Sequence, residues 1–175
     1  DISVVERLMG QEDAADAHAA EAIRIAREVG EARGLALALI WAYGTSGGRY
    51  RGTAPRKELE EAVALARKAG DPWVMGHALN GLGDVFRTLG DYAASRRQYE
   101  QALVLFRDLN DRWMTAWNLE GLGQMTALQG EPDRAEAPLK EGLHLFAELG
   151  DRGSVVLMLR RLGMTARARG DAARS

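Results

Sequence analysis

Along this chain the apolar residues recur at spacings of three and four, the period of one face of an α-helix, and the whole pattern repeats every forty positions. In one set of segments a column of leucines, Leu39, Leu79, Leu119 and Leu159, is followed three residues later by Ala42, Leu82, Leu122 and Leu162, and one further by Gly83, Gly123 and Gly163. In the alternating set the columns are Ala15, Pro55, Ser95 and Ala135, then Ala19, Leu59, Tyr99 and Leu139, then Ala22, Ala62, Ala102 and Gly142. This second stripe continues through Ile25, Leu65, Leu105 and Leu145, with Phe106 and Phe146 beside it. The small residue of the Gly83 column lets the second helix of a pair approach closely. The pattern predicts helices near residues 12–29, 33–46, 55–69, 72–89, 92–109, 112–129, 132–149 and 152–169, and no strand.

The punctuation has the same period. Gly30-Glu31, Gly70-Asp71, Asn110-Asp111 and Gly150-Asp151 are forty residues apart, and Gly10, Gly90, Gly130 and Gly170 form a second column, with Tyr50 its one departure. Two columns half a period apart make each unit a pair of helices, a leading and a following one. Asp71, Asp111 and Asp151 stand where an N-cap is wanted, and Pro72 and Pro132 fall at first helical positions. Gly70, Gly90, Gly130, Gly150 and Gly170 are placed for the left-handed residue that ends a helix, with Asn110 the next-best residue for that geometry. A helix pair cannot bury its apolar face without a neighbour, so a stacked solenoid is expected. We read a single repeat domain over residues 1–175, a fragment of a longer array: a partial unit 1–29, units 31–70, 71–110 and 111–150, and a partial unit 151–175. Residues 1–9 match the second half of a leading helix, because Leu8-Met9-Gly10 falls in the frame of Thr88-Leu89-Gly90.

The run Leu79-x-x-Leu82-Gly83-x-x-Phe86, then Gly90-Asp91-Tyr92, then Ser95-x-x-x-Tyr99-x-x-Ala102 resembles the tetratricopeptide repeat (TPR). The next unit keeps Leu119, Leu122, Gly123, Ala135 and Leu139 but has Thr126 where the family has an aromatic residue. The resemblance implies an all-α, right-handed superhelical solenoid of antiparallel helix pairs whose leading helices line a concave groove. The common unit of that family is about thirty-four residues, so each helix here is about a turn longer. Long units of this kind are similar to the sensor arrays of maltose-regulator-like and antibiotic-regulator-like bacterial ATPase transcription regulators. Similar long repeats occur in kinesin light chains and G-protein-signalling modulators.

Composition narrows the function. A net charge of −2 supplies no field that would draw the chain onto nucleic acid or an acidic membrane. The absence of cysteine removes disulfides, thiol nucleophiles and thiolate metal ligands, and suits a cytoplasmic protein. The longest apolar run, Leu35 to Tyr43, is far shorter than the roughly 20 residues of a membrane span, and reads as a buried helix. His18, His77 and His144 fall in three different columns without metal-ligand spacing, and no nucleophile turn is present. Gly44-Thr-Ser-Gly-Gly-Arg-Tyr-Arg-Gly52 follows a helix and lacks the Gly-Lys-Ser/Thr ending of a phosphate loop, so its glycines are read as ending the helix early. Glu58-Leu-Glu-Glu61 is read as a solvated face. No catalytic residue, metal or cofactor is expected.

The candidate site is therefore a surface. If Leu79, Leu82, Gly83 and Phe86 face the core, the adjoining stripe of that leading helix is His77, Asn80, Asp84 and Arg87. By the frame of forty its neighbours contribute Trp117, Glu120 and Gln124, then Leu157, Arg160, Met164 and Arg167, with Leu37, Ile40 and Gly44 on the earlier side. Of these, His77, Asn80, Asp84, Arg87, Trp117, Glu120, Gln124, Arg160 and Arg167 are the candidate binding residues. Trp73 and Trp113 share a column that suits packing between units. The expected function is a non-enzymatic module that binds a protein, a peptide or a small effector, as the sensor or partner-docking part of a larger bacterial signalling or transcription regulator. A free-standing assembly scaffold is the alternative. An exposed stripe of Val155, Met158, Leu159 and Leu162 on the last helix leads us to expect self-association.

Overall fold

The computed structural model describes residues 12–45 and 54–172. They form eight helices: α1 (Glu12–Val29), α2 (Ala32–Thr45), α3 (Ala54–Ala69), α4 (Pro72–Thr88), α5 (Tyr92–Asp108), α6 (Arg112–Leu128), α7 (Pro132–Glu148) and α8 (Arg152–Ala172). No strand occurs among the described residues, and no helix there is long and apolar enough to cross a membrane. The expected boundaries hold to within one residue except at the end of α8. The half-helix expected over residues 1–9 and most of the Gly44–Gly52 segment lie outside the described residues; α2 includes Gly44 and runs to Thr45.

The turns explain the regularity. Gly30, Gly70, Gly90, Gly130 and Gly150 have φ between 66° and 83°, and Asn110 has φ 54°. At Gly70 the residue's own N–H returns to the Arg67 carbonyl (3.2 Å), and the next, that of Asp71, returns to the Ala66 carbonyl (3.1 Å). The Asp71 carboxylate meanwhile accepts from the Val74 N–H, 3.0 Å away in the following helix. Asp111 repeats both roles, toward the Phe106 carbonyl and the Met114 N–H, and Asp151 does so toward Phe146 and Ser154. Asp91 caps α5 through the Ala94 N–H, and Glu31 reaches the N–H groups of Arg33 and Gly34. Glu131 makes no side-chain cap; Pro132 at the first helical position leaves one fewer donor to satisfy there.

Gly170 departs from expectation, because α8 continues through it to Ala172. In the four turns where the backbone closure is described, the left-handed residue is followed by one that bonds back to the old helix while starting the next. At Gly170 the backbone stays helical, and it is not among the left-handed glycines.

The chain divides into two compact bodies, residues 1–89 and 90–175. In the first, α2 packs against α1, α3 and α4, and α3 against α4. Its core is Ala36, Leu39, Ala62, Ala66, Val74 and Ala78, mostly alanine, which lets the helix axes come close. In the second body α6 packs against α5, α7 and α8, and α7 against α8. Its core has one cluster of Tyr99, Leu103, Leu119, Leu122 and Met125 and another of Ala116, Leu139, Phe146 and Met158. In α3, α5 and α7 the expected columns of the second stripe are buried except the last, which shifts by one position to Ala66, Phe106 and Phe146. Phe106 and Phe146 are fully buried, while Leu105 and Leu145 are half-buried and Ile25 is 46% exposed.

Glycine sets the helix spacing in the second body. A Cβ on Gly123 would lie 2.5 Å from Leu139 Cγ and 3.3 Å from the Ala135 carbonyl oxygen. A Cβ on Gly121 would meet the Tyr99 ring at 2.8 Å. Gly163, in the same column as Gly123, has no such neighbour within 4 Å and is exposed.

Because of these contacts, Gly123→Ala should destabilise by about 1–3 kcal/mol through overpacking. In dilute solution Gly163→Ala should be neutral or stabilise by up to about 1 kcal/mol through helix propensity; urea-unfolding midpoints of the two variants provide the comparison. A second expectation concerns acid. The Val74 N–H foremost, opposed next by burial and then aided by Arg33 at 2.6 Å, holds the Asp71 carboxyl below the usual carboxylate range. A depressed folded-state pKa contributes stability above the unfolded value of about 3.9 and loses it as pH falls through the folded one. Asp71→Asn, which keeps an acceptor but does not titrate, should therefore show a shallower loss of stability than the parent below about pH 4.

Candidate functional site

The candidate stripe begins on α4. His77, Asn80, Asp84 and Arg87, at successive spacings of three, four and three, are all half-buried, so the expected orientation of this helix is correct. The core takes the adjoining face, with Leu79, Leu82, Val85 and Phe86 at most 9% exposed. Asp84 and Arg87 form an ion pair at 3.2 Å. The Trp73 and His77 rings lie 4.1 Å apart between centroids, tilted by 56°. Tyr43 reaches from α2 over Gly81, where a Cβ would come within 3.4 Å of its ring. Burial first, and then the Asp84 charge, push the Tyr43 phenol above its ordinary range, with Arg87 opposing. Of the three α2 residues expected in the stripe, Leu37 and Ile40 pack against the core and Gly44 is exposed.

The second body holds the rest of the stripe. Trp117 is half-buried and stacks on Trp113 with centroids 5.6 Å apart and planes within 4°, and both rings meet Phe146 edge-on at 6.4 and 6.2 Å. Trp113 is 45% exposed, and its indole N–H donates to Asp151 at 3.1 Å, tying α6 to the cap of the next unit. The Ser154 backbone N–H, the Ser154 hydroxyl and then this indole hold the Asp151 carboxyl below the usual range.

Glu120 is not an open groove residue. It is 7% exposed, and Arg161 of α8 donates to it through Nε at 2.5 Å. With its amide oxygen assigned toward the same guanidinium, Gln124 accepts from both terminal nitrogens at 2.9 and 3.1 Å. One α8 arginine is thus clamped by two α6 side chains. The sequence places Arg160 and Arg167 in this stripe; both are exposed, and it is Arg161 that reaches across. A signal for it was present, because the column of Gly81 and Gly121 becomes arginine at 161. Leu157 is half-buried and Met164 is 56% exposed.

Beside the clamp lies a cavity of about 170 Å³ lined by Gln124, Leu128, Leu139, Arg161, Met164 and Thr165 among others. A second, of about 190 Å³, lies between α7 and α8 at Glu136, Lys140, Leu162 and Arg169. No group of three His, Asp or Glu side chains able to hold a metal converges among the described residues. His18 and His144 are exposed, the latter 3.2 Å from Glu148. In the acidic run, Glu60 and Glu61 pair with Arg56 and Arg27, but Glu58 is half-buried and burial raises its carboxyl pKa, so this run is not simply a solvated face.

The clamp makes a direct prediction. Arg161→Ala leaves a buried carboxylate without its cation and should cost about 3 kcal/mol in urea unfolding, whereas Arg160→Ala should stay within about 0.5 kcal/mol.

Residues 74–148 match the family model described as tetratricopeptide repeat, and residues 1–47 and 53–88 match that of anaphase-promoting complex subunit 5. No curated protein matches the sequence. Among solved structures, BtubC (BKLC) from P. vanneervenii is similar with a TM-score of 0.79 at 19% identity, over 97% of this chain and 70% of that one. The TPR-like repeats of a putative kinesin light chain from Podosopora anserina align with a TM-score of 0.77 at 13% identity, over 99% of this chain and 86% of that one. A singly substituted form of the same repeats gives 0.78 at 13% identity, over 99% and 85%. This chain therefore has the TPR-like helical-repeat fold, with a tetratricopeptide-repeat match over residues 74–148.

Proposed function

We propose that this chain is a non-enzymatic docking module that takes a segment of a partner protein on the side chains of the leading helices α6 and α8 of its second body. The observation that carries the reading is the surface of the second body, where the stacked Trp113 and Trp117, the Arg161 clamp and a cavity of side-chain size are fixed in place before any partner arrives. Anchoring aromatics supported by ordered polar groups are the usual makings of a binding hot spot. Cavities of about 170 and 190 Å³ fall below the roughly 300 Å³ at which small-molecule sites begin, which favours a peptide side chain over a small effector. In the first body, His77, Asn80, Asp84 and Arg87 offer polar groups spaced to reach a peptide backbone. Arg160, Arg167 and Met164 would form the exposed rim of the second surface. Glu120 and Gln124 serve the site by positioning Arg161.

The wider context proposed is the docking or sensor segment of a cytoplasmic bacterial regulator of signalling or transcription. It is supported by the forty-residue unit and the likeness of such units to regulator arrays. A free-standing scaffold is the alternative. An upstream nucleotide-binding domain and a DNA-binding domain in the parent sequence would support the regulator, and their absence the scaffold.

The test is selection of peptides from a displayed random library on the 175-residue chain, followed by calorimetry. Trp113→Ala and Trp117→Ala should each weaken the selected peptides by about 2 kcal/mol or more, with the helical circular dichroism retained. Arg97→Ala, exposed on α5, should leave affinity unchanged. Equal loss at Arg97 would refute the inner-face site.

A further inference from the structure

The stripe Val155, Met158, Leu159 and Leu162, expected to lie open on α8, does not: Met158 is fully buried under Gly142, Val155 and Leu162 are half-buried, and only Leu159 is exposed. A place where the repeat changes its chemistry lies instead in the first body. There a cavity of about 230 Å³ is lined by Asp16, Ala19, Ile23 and Arg27 of α1, Ala42 of α2 and Glu58 of α3 among others. These residues mark the inward side of α1, since at about 100° per residue Asp16, Ile23 and Arg27 lie roughly opposite the exposed Ile25 and Val29. All three walls are helices of this one body.

Two changes in the repeat open the cavity. The column of Ala19 holds Leu59, Tyr99 and Leu139 in the other units, and that of Ala42 holds Leu82, Leu122 and Leu162. At the corresponding place in the second body, Tyr99 and Leu122 belong to one buried cluster. The frame around the two places is shared, because the Arg27–Glu61 ion pair (3.3 Å) between α1 and α3 recurs as Arg107–Glu141 (2.5 Å) between α5 and α7. The filling is gone in the first body, and the character of the walls changes with it. Arg96 and Pro138 of the second body stand in the columns of Asp16 and Glu58.

The lining suits a cation. Asp16 and Glu58 bring carboxylates from two walls, and the charge of Arg27 is taken up by Glu61, so negative charge is in excess. Burial foremost raises the Glu58 carboxyl pKa, with Arg27 opposing and Glu61 adding to it, as befits a carboxylate short of a cation. Among the described residues of the lining, α2 contributes no ionisable group. Ala19, Ile23 and Ala42 make the remaining surface apolar, which fits a charged head on an aliphatic stem. An ammonium, whose three donors point apart, can reach carboxylates on separate walls, whereas the planar guanidinium fork favours both oxygens of one. The volume is below the roughly 300 Å³ at which small-molecule sites begin, so the stem belongs to a larger molecule.

We propose that this cavity is a socket for a lysine side chain of a partner protein, its stem against Ala19, Ile23 and Ala42 and its ammonium between Asp16 and Glu58. The socket is separate from the surface of α6 and α8, and neither reading depends on the other.

Titration of the 175-residue chain with n-butylammonium, the lysine side chain without its backbone, tests the proposal by NMR. The Ala19 and Ala42 methyl signals and the Glu58 carboxyl carbon should shift to saturation, and Nα-acetyl-lysine methylamide should bind at least as tightly. n-Butanol, matched in length but uncharged, should bind about tenfold more weakly, the loss expected for one charge-assisted pair. n-Propylguanidinium should also bind more weakly than the amine. Glu58→Gln should weaken n-butylammonium by about tenfold, and Ala42→Leu, which restores the residue of the other units, should abolish saturation with the helical circular dichroism retained. Glu60→Gln, exposed on α3 and outside the lining, should change nothing. Binding should fade as pH falls through the Glu58 pKa. The absence of a saturable shift, butanol or the guanidinium bound as tightly as the amine, or unchanged binding by Glu58→Gln or by folded Ala42→Leu would overturn the proposal. So would a loss of affinity on going from n-butylammonium to Nα-acetyl-lysine methylamide, which would assign the socket to a free amine.

Discussion

At three of the described turns one residue serves two helices, and the rest of the architecture depends on it. The N–H of Asp71, Asp111 or Asp151 closes the helix behind, and the carboxylate of the same residue opens the helix ahead. With only a left-handed residue before it, the chain reverses within about two positions, and the antiparallel packing of successive helices follows. Each cap is worth about 1 kcal/mol, less than the 1.5–3 kcal/mol or so from burying a side chain such as Phe106 or Phe146. Burial supplies the larger energy. The turn decides which columns face each other, and so whether that burial can happen.

Once the register is set, side-chain volume determines how near the helices come. Glycines at 121, 123 and 142 are each pressed by a neighbour that a methyl group would strike, and Met158 occupies the space Gly142 leaves. At 161 the glycine of the two preceding repeats, Gly81 and Gly121, gives way to arginine, and the site changes from close packing to a clamp. The Arg161 guanidinium is satisfied by Glu120 and Gln124, so an otherwise costly buried carboxylate becomes a fixed point between α6 and α8. Rigidity of this kind is what a binding surface needs, because side chains already ordered lose less freedom when a partner docks.

The tryptophans show how structural and recognition roles share one position. Trp113 bonds Asp151 through its nitrogen and stacks on Trp117, while nearly half of its surface faces solvent. Asp151 in turn accepts from Ser154 as it starts α8. A turn, an aromatic stack and a candidate anchor are thereby linked through two side chains.

By itself the sequence determined what is local and periodic: the helices, their caps, the left-handed residues and the core face of α4. These follow from backbone hydrogen bonding and from the 3.6-residue period, which neighbouring residues carry without help from the rest of the fold. That His77, Asn80, Asp84 and Arg87 share the half-buried face beside that core was legible too, because it is one helical face counted from another. Tertiary structure decided what depends on distance between helices. It put Phe106 and Phe146, and not Leu105 and Leu145, at the end of the second buried stripe, buried Glu120, and brought Arg161, not Arg160, against α6. On one helix those two arginines differ by about 100° of rotation, and only the position of the neighbouring helix determines which of them meets a carboxylate.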